Sequence, residues 1–151
     1  MKATTSLVTP ADRDAIYAWW TDYAEHDHRH RAFARYGDVA RRVVWREPAK
    51  GVEYVDEGRI IGIPVTLRTT ATLAPPERVH ARTDSRWGVL ETDYWFEALG
   101  GGGTRITARA QWQEHPAVRF AAPLTQTVLH GALAYDLRTH VKEFEAERGI
   151  E

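Results

Sequence analysis

The 151-residue sequence contains no cysteine. Disulfides, thiolate zinc sites and thiol nucleophiles are therefore excluded from its chemistry. It lacks an excess of one charge: the formal net charge is -1 and the pI is near 6.7. Nucleic acid and anionic membranes are then not default partners. No run of about 18 apolar residues occurs, so no transmembrane helix is expected. Met1 to Thr9 hold one lysine and no long apolar run. No secretory signal is expected there, and the expected location is cytoplasmic. There is no internal repeat and no linker. The glycines Gly100 to Gly103 are too few to separate domains. They lie between two strands, so they cannot present a helix N-terminus to phosphate. One domain over 1–151 is expected, with no cofactor.

What is present is periodic. Arg119 to Arg148 predicts one long helix, roughly 45 Å at ~1.5 Å per residue. Phe120, Leu124 and Val128 form one apolar line, and Leu129, Leu133, Leu137, Val141 and Phe144 another. A stripe that wide needs something wrapped around it. Near the start, Lys2 to Val8 reads as a strand. Thr9-Pro10-Ala11-Asp12 then opens a helix, with Thr9 as cap and Asp12 as capping-box acid. Ile16, Trp19, Trp20 and Tyr23 give it an apolar side. Trp19-Trp20 is read as core, with a membrane or partner patch as the alternative. Phe33 and Tyr36 suggest a second short helix ended by Gly37.

From Arg41 the period becomes two. Strands are expected over 41–47, 52–56, 60–73, 77–86, 89–99 and 104–113, with a turn at Asp56-Glu57-Gly58. Six consecutive strands with short turns make an antiparallel meander, and the first strand makes seven. Alternation puts Val65, Leu67, Thr69, Ala71, Val79, Ala81, Thr83, Tyr94, Phe96, Ala108 and Ala110 on one inner face. The outer face pairs a basic stripe (Arg78, His80, Arg82) with an acidic one (Glu91, Asp93, Glu97). Those carboxylates are therefore read as ion-pair partners rather than general acids.

The element order is α+β: a strand, two short helices, six antiparallel strands and a long C-terminal helix. Gly88-Val89-Leu90 leads to Tyr94-Trp95-Phe96-Glu97 and then Gly103-Thr104-Arg105-Ile106. Together these resemble the START-like (SRPBCC) superfamily of helix-grip proteins. It includes the birch-pollen-allergen type and the polyketide cyclase/dehydrase and lipid-transport type. The resemblance implies a seven-stranded curved sheet gripping the helix, with an apolar cavity between them. It carries no catalytic residue over, because the superfamily has no shared catalytic signature.

The residues speak to that cavity directly. Inner positions are small (Thr69, Ala71, Ala81, Thr83, Ala108, Ala110), and so are Gly131, Ala132 and Ala134 on the facing helix. A mid-helix glycine costs about 1 kcal/mol against alanine, so Gly131 is expected to have a packing or ligand reason. The expected ligand-binding set is Tyr54, Trp87, Tyr94, Trp112, His130, Tyr135 and Arg138. Tyrosines offer an apolar body and one hydrogen bond, and His130 could move protons near neutral pH. The opposing reading has Trp45, Trp87, Tyr94 and Trp112 filling the space. His26, His28 and His30 form a histidine-rich segment read as a solvated loop or lid rather than a metal site. The expected partner is a hydrophobic small molecule (lipid, polyketide-like or aromatic), held by a carrier or sensor. A cyclase- or dehydratase-type enzyme using the same cavity is the alternative. A protein-interaction module with a filled core is another. A homodimer is admitted; nucleic acid and membrane insertion are not.

Overall fold

The computed structural model describes residues 1–23, 37–60, 62–117 and 122–150. The chain runs β1 (Lys2–Thr9), α1 (Arg13–Trp20), β2 (Gly37–Glu47), β3 (Gly51–Ile60), β4 (Ile63–Ala74), β5 (Arg78–Ser85), β6 (Gly88–Ala98), β7 (Thr104–Glu114) and α2 (Ala122–Arg148). The seven strands form one sheet, ordered β1-β7-β6-β5-β4-β3-β2 and antiparallel at every pair. The second short helix expected around Phe33 falls outside the described residues, and β2 begins at Gly37.

Alternation sets the faces as expected in β4 to β7. Val65, Thr69, Ala71, Val79, Thr92, Phe96, Ile106, Ala108 and Ala110 are buried on the concave side. On the convex side Arg105 pairs with Glu97 at 3.2 Å, Arg82 with Glu91 at 3.4 Å, and Asp93 holds both Arg78 and His80. The outer ladder is therefore the ion-pair surface the two stripes imply.

Two strand expectations need correction. No turn forms at Asp56-Glu57-Gly58. The ladder continues through Asp56↔Leu67, Glu57↔Thr66 and Gly58↔Val65, so β3 runs on to Ile60. Alternation from Val52 and Tyr54 then carries Asp56 to the concave face. In β2 a bulge between Val43 and Trp45 shifts the register and flips the parity. Trp45 lands on the convex face, 43% exposed, with its indole N–H donating to Glu53 at 2.9 Å. It cannot fill the interior.

The helices also differ in detail. Asp12, not Thr9, caps α1, and its carboxylate accepts from the Ala15 N–H at 3.0 Å. The Thr9 hydroxyl instead donates to Glu145 on α2 at 2.7 Å. The Trp19 indole donates to Glu147, also at 2.7 Å, so α1 is tied to the last turns of α2. Both Trp19 and Trp20 are buried, so neither forms a surface patch. On α2 the stripe Leu133, Leu137, Val141 and Phe144 is buried as expected, with His140 on the same face. Val128, expected on an apolar line, is 65% exposed. This helix lies mainly along β1 and β7.

Gly131 has no packing reason: a Cβ there would meet nothing within 4 Å. Gly131 and Ala132 both face outward, and of the three small helix residues Ala134 alone is half-buried. Gly131→Ala should then stabilise the fold by roughly 0.5–1 kcal/mol, through helix propensity alone. A urea titration checks this, and an unchanged or lower midpoint would mean the glycine is needed for something else.

Candidate functional site

The concave face gathers polar groups that a plain core would leave out. Tyr94 stands on β6 between Val79 of β5 and Ala108 of β7, and alanine leaves room for its ring. Its hydroxyl reaches α2 and donates to Asp136 Oδ2 at 2.9 Å. One turn further along α2, His140 places Nδ1 2.8 Å from the Asp136 carbonyl oxygen and 3.3 Å from Oδ1. A carbonyl can only accept, so the hydrogen-bond pattern assigns the His140 proton to Nδ1. Trp20 of α1 covers this group, its ring 4.7 Å from His140, 5.2 Å from Tyr94 and 5.5 Å from Phe96.

A second group lies on β2 and β3. Arg41 and Asp56 are directly opposed across the ladder. Their side chains are 6% and 4% exposed and joined by two bonds, Nε to Oδ1 at 2.7 Å and Nη2 to Oδ2 at 2.8 Å. The fork-to-fork match suits a planar guanidinium. The same guanidinium lies 3.7 Å over the Tyr54 ring. Tyr23, just past α1, packs on Tyr54 at 5.9 Å. Tyr23 also lines an open groove of about 360 Å³ between the end of α1 and the β2–β3 turn, where Arg46, Glu47 and Leu73 form the other walls. Between the two groups, Thr69 and Thr83 share a hydrogen bond of 2.8 Å across β4 and β5.

Burial, then the nearby Asp136 carboxylate, pushes the Tyr94 hydroxyl well above its ordinary range. Burial also pushes Tyr17 up to about 12, and its hydroxyl donates to the Arg78 carbonyl at 3.0 Å. A tyrosine raised in the folded state keeps its proton while the unfolded chain loses it. Stability is therefore full below about pH 10 and falls as pH rises through the folded values. An ultraviolet titration should show Tyr94 and Tyr17 ionising late, together with unfolding. Tyr17→Phe should delay the alkaline loss. Ordinary titration of every tyrosine in a still-folded protein would contradict this.

Of the expected ligand-binding residues, Tyr54 and Tyr94 lie on the concave face, in the two groups just described. Trp112 faces the same way, opposite Leu90, and its indole N–H is buried with no hydrogen-bond partner among the described residues. Trp87 sits at the β5–β6 turn with Arg86 stacked 4.7 Å over its ring. His130 and Arg138 are exposed on α2, and Tyr135 is 36% exposed. They are not brought to the polar groups. Sequence reasoning misses Arg41, Asp56, Asp136 and His140. Among the described residues no three His, Cys, Asp or Glu gather to hold a metal, and the segment with His26, His28 and His30 is outside them. No helix among them is long and apolar enough to cross a membrane.

No family model matches the chain. Alkylmercury lyase of Pseudomonas putida is 38% identical over 77 residues, which are 51% of this chain and 34% of that protein. The match thus spans about a third of that relative's length. Among solved structures, a protein of Thermus thermophilus superposes with a TM-score of 0.78 at 14% identity, covering 97% of this chain and 99% of its own. The Zhui aromatase/cyclase of a Streptomyces species gives 0.76 at 10%, covering 96% and 93%. A START superfamily protein of Mycobacterium smegmatis gives 0.61 at 14%, covering 94% and 97%. At such identities these likenesses define the fold. The chain has the START-like helix-grip fold: a curved antiparallel sheet of seven strands with a long C-terminal helix and a short N-terminal one.

Proposed function

We propose that this protein binds an apolar, ring-bearing small molecule on the concave face between β3–β6 and α2, as a carrier or sensor. The observation that carries this reading is the gathering of Tyr94, Tyr54 and Thr69 on the concave face, with Asp136 of α2 above them, beside the buried apolar Val79, Phe96 and Ala108. Buried polar groups are the informative exception to an apolar interior. Apolar area would supply affinity, and a few convergent polar groups would set orientation. The START-like fold supports the reading, since its neighbours include an aromatase/cyclase and a START superfamily protein. The test is native mass spectrometry of the purified protein with extraction of bound material, followed by titration with 8-anilinonaphthalene-1-sulfonate. A co-purifying apolar molecule, or saturable dye binding, is expected. A clean apo mass with no saturable dye signal would overturn the reading in favour of a filled core and an interaction role.

One observation favours a second reading, a cyclase- or dehydratase-type enzyme in the same place. The Asp136 carboxylate accepts from the Tyr94 hydroxyl at 2.9 Å and lies 3.3 Å from His140 Nδ1, so one carboxylate stands beside two further titratable groups. Proton transfer by positioned side chains needs such a set. Solvent-deuterium exchange at the carbon beside the carbonyl of 2-tetralone tests it. Exchange above the buffer rate, lost in Asp136→Asn, would support chemistry; exchange at the buffer rate leaves binding alone. The alkylmercury lyase likeness does not enter either reading. Soft metals call for thiolate ligands, and this sequence has no cysteine.

A further inference from the structure

Resting on the binding reading, we propose that Tyr94 selects ligands by accepting a hydrogen bond. The site would then take ring compounds that carry a hydroxyl or N–H group and disfavour those with only carbonyl or ether oxygens. A tyrosine hydroxyl has one proton and two lone pairs. The proton of Tyr94 is already given to Asp136 Oδ2 at 2.9 Å. A carboxylate is a charged acceptor, and hydrogen bonds to it are about twice as strong as neutral ones. A ligand carbonyl would have to take that proton from a better acceptor and leave a carboxylate oxygen unpaired.

The carboxylate also has His140 beside it. Its other oxygen lies 3.3 Å from His140 Nδ1, and His140 is fixed from behind by the Trp20 ring at 4.7 Å. What Tyr94 can still offer is its oxygen, made more negative by the strong bond it donates. Burial and the neighbouring carboxylate oppose its ionisation, so the proton stays in place at neutral pH. The Tyr94 ring itself lies against the Trp20 ring at 5.2 Å, and its strand neighbours are Val79 and Ala108. The polarity of the whole group is thus set by one carboxylate on α2, which makes it reversible by one substitution. In Asp136→Asn the side-chain amide can donate to the Tyr94 oxygen, and the hydroxyl proton becomes available to a ligand acceptor.

The experiment is a fluorescence titration with a matched pair, 2-naphthol and 2-methoxynaphthalene, which differ in one O–H. Wild-type protein is expected to bind the naphthol about tenfold more tightly, the ratio one well-placed hydrogen bond gives. Tyr94→Phe should bring the two probes to within about twofold by removing the acceptor. Asp136→Asn should equalise or invert the preference while the protein stays folded by circular dichroism. Equal binding of both probes to wild-type protein would overturn the inference and leave the binding reading standing. So would a preference that survives Tyr94→Phe. If neither probe nor the anilinonaphthalene dye binds, the binding reading fails and the inference with it.

Discussion

Asp56→Ala is expected to lower the unfolding free energy by about 3–5 kcal/mol, because it removes the fork-to-fork carboxylate partner of the buried Arg41 cation. The pair is nearly closed to water, at 6% and 4% side-chain exposure, and both contacts are shorter than 3 Å. Coulomb attraction there is little screened, whereas an exposed pair of the same geometry would contribute under about 1 kcal/mol. For a chain of this length the loss corresponds to a fall in melting temperature on the order of 10 °C. The double substitution Arg41→Met with Asp56→Leu should recover most of it, because swapping a buried pair for apolar groups of similar size is often neutral. Thermal unfolding of the two variants separates the cases. A loss below about 1 kcal/mol for Asp56→Ala would mean that water reaches the pair.

That pair also shows where the sequence stops being readable. Alternation in β4 to β7 yields the concave face because its inner residues are consistently apolar or small, from Val65 and Ala71 to Ile106 and Ala108. Asp56 has the same parity as Val52 and Tyr54, yet the sequence Asp56-Glu57-Gly58 carries every local mark of a turn. Pairing with β2 and β4 overrides those marks. The β2 bulge is equally silent, since a one-residue slip leaves no compositional trace in Val43-Val44-Trp45.

On α2 angular arithmetic decides which residues face inward. His130 follows Leu129 by one residue, about 100° around the helix, and Arg138 follows Leu137 by the same step. Both are carried off the buried line. His140 lies seven residues after Leu133, nearly two full turns, and returns to it. Residue type draws attention to His130 in the small-residue stretch, whereas position on the helix points to His140. The Tyr94–Asp136 contact, by contrast, joins residues 42 apart in the chain. No local pattern encodes it.

The second large effect is expected at Trp20, and it links the fold to the site. Trp20 is 3% exposed and packs on Tyr94, Phe96 and His140. Trp20→Ala should cost about 3–5 kcal/mol from lost burial and the cavity left behind. It should also remove the wall that holds His140 against Asp136, so probe affinity should fall under conditions where the protein is still folded. Trp19→Ala is the control. Trp19 is 5% exposed and falls in the same stability class, but among the described residues its nearest ring is Phe144 at 5.5 Å, it stands 6.5 Å from His140 against 4.7 Å for Trp20, and its indole serves Glu147. It should lose comparable stability and keep most of its probe affinity. Trp20→Phe retains a flat ring and should restore part of both quantities. Urea unfolding and dye titration on the same samples separate the two roles. If Trp19→Ala and Trp20→Ala weaken binding equally, general loosening of α1 against α2 accounts for the effect and Trp20 has no specific place in the site. If only Trp20→Ala does so, the aromatic lid of α1 is part of what a ligand meets.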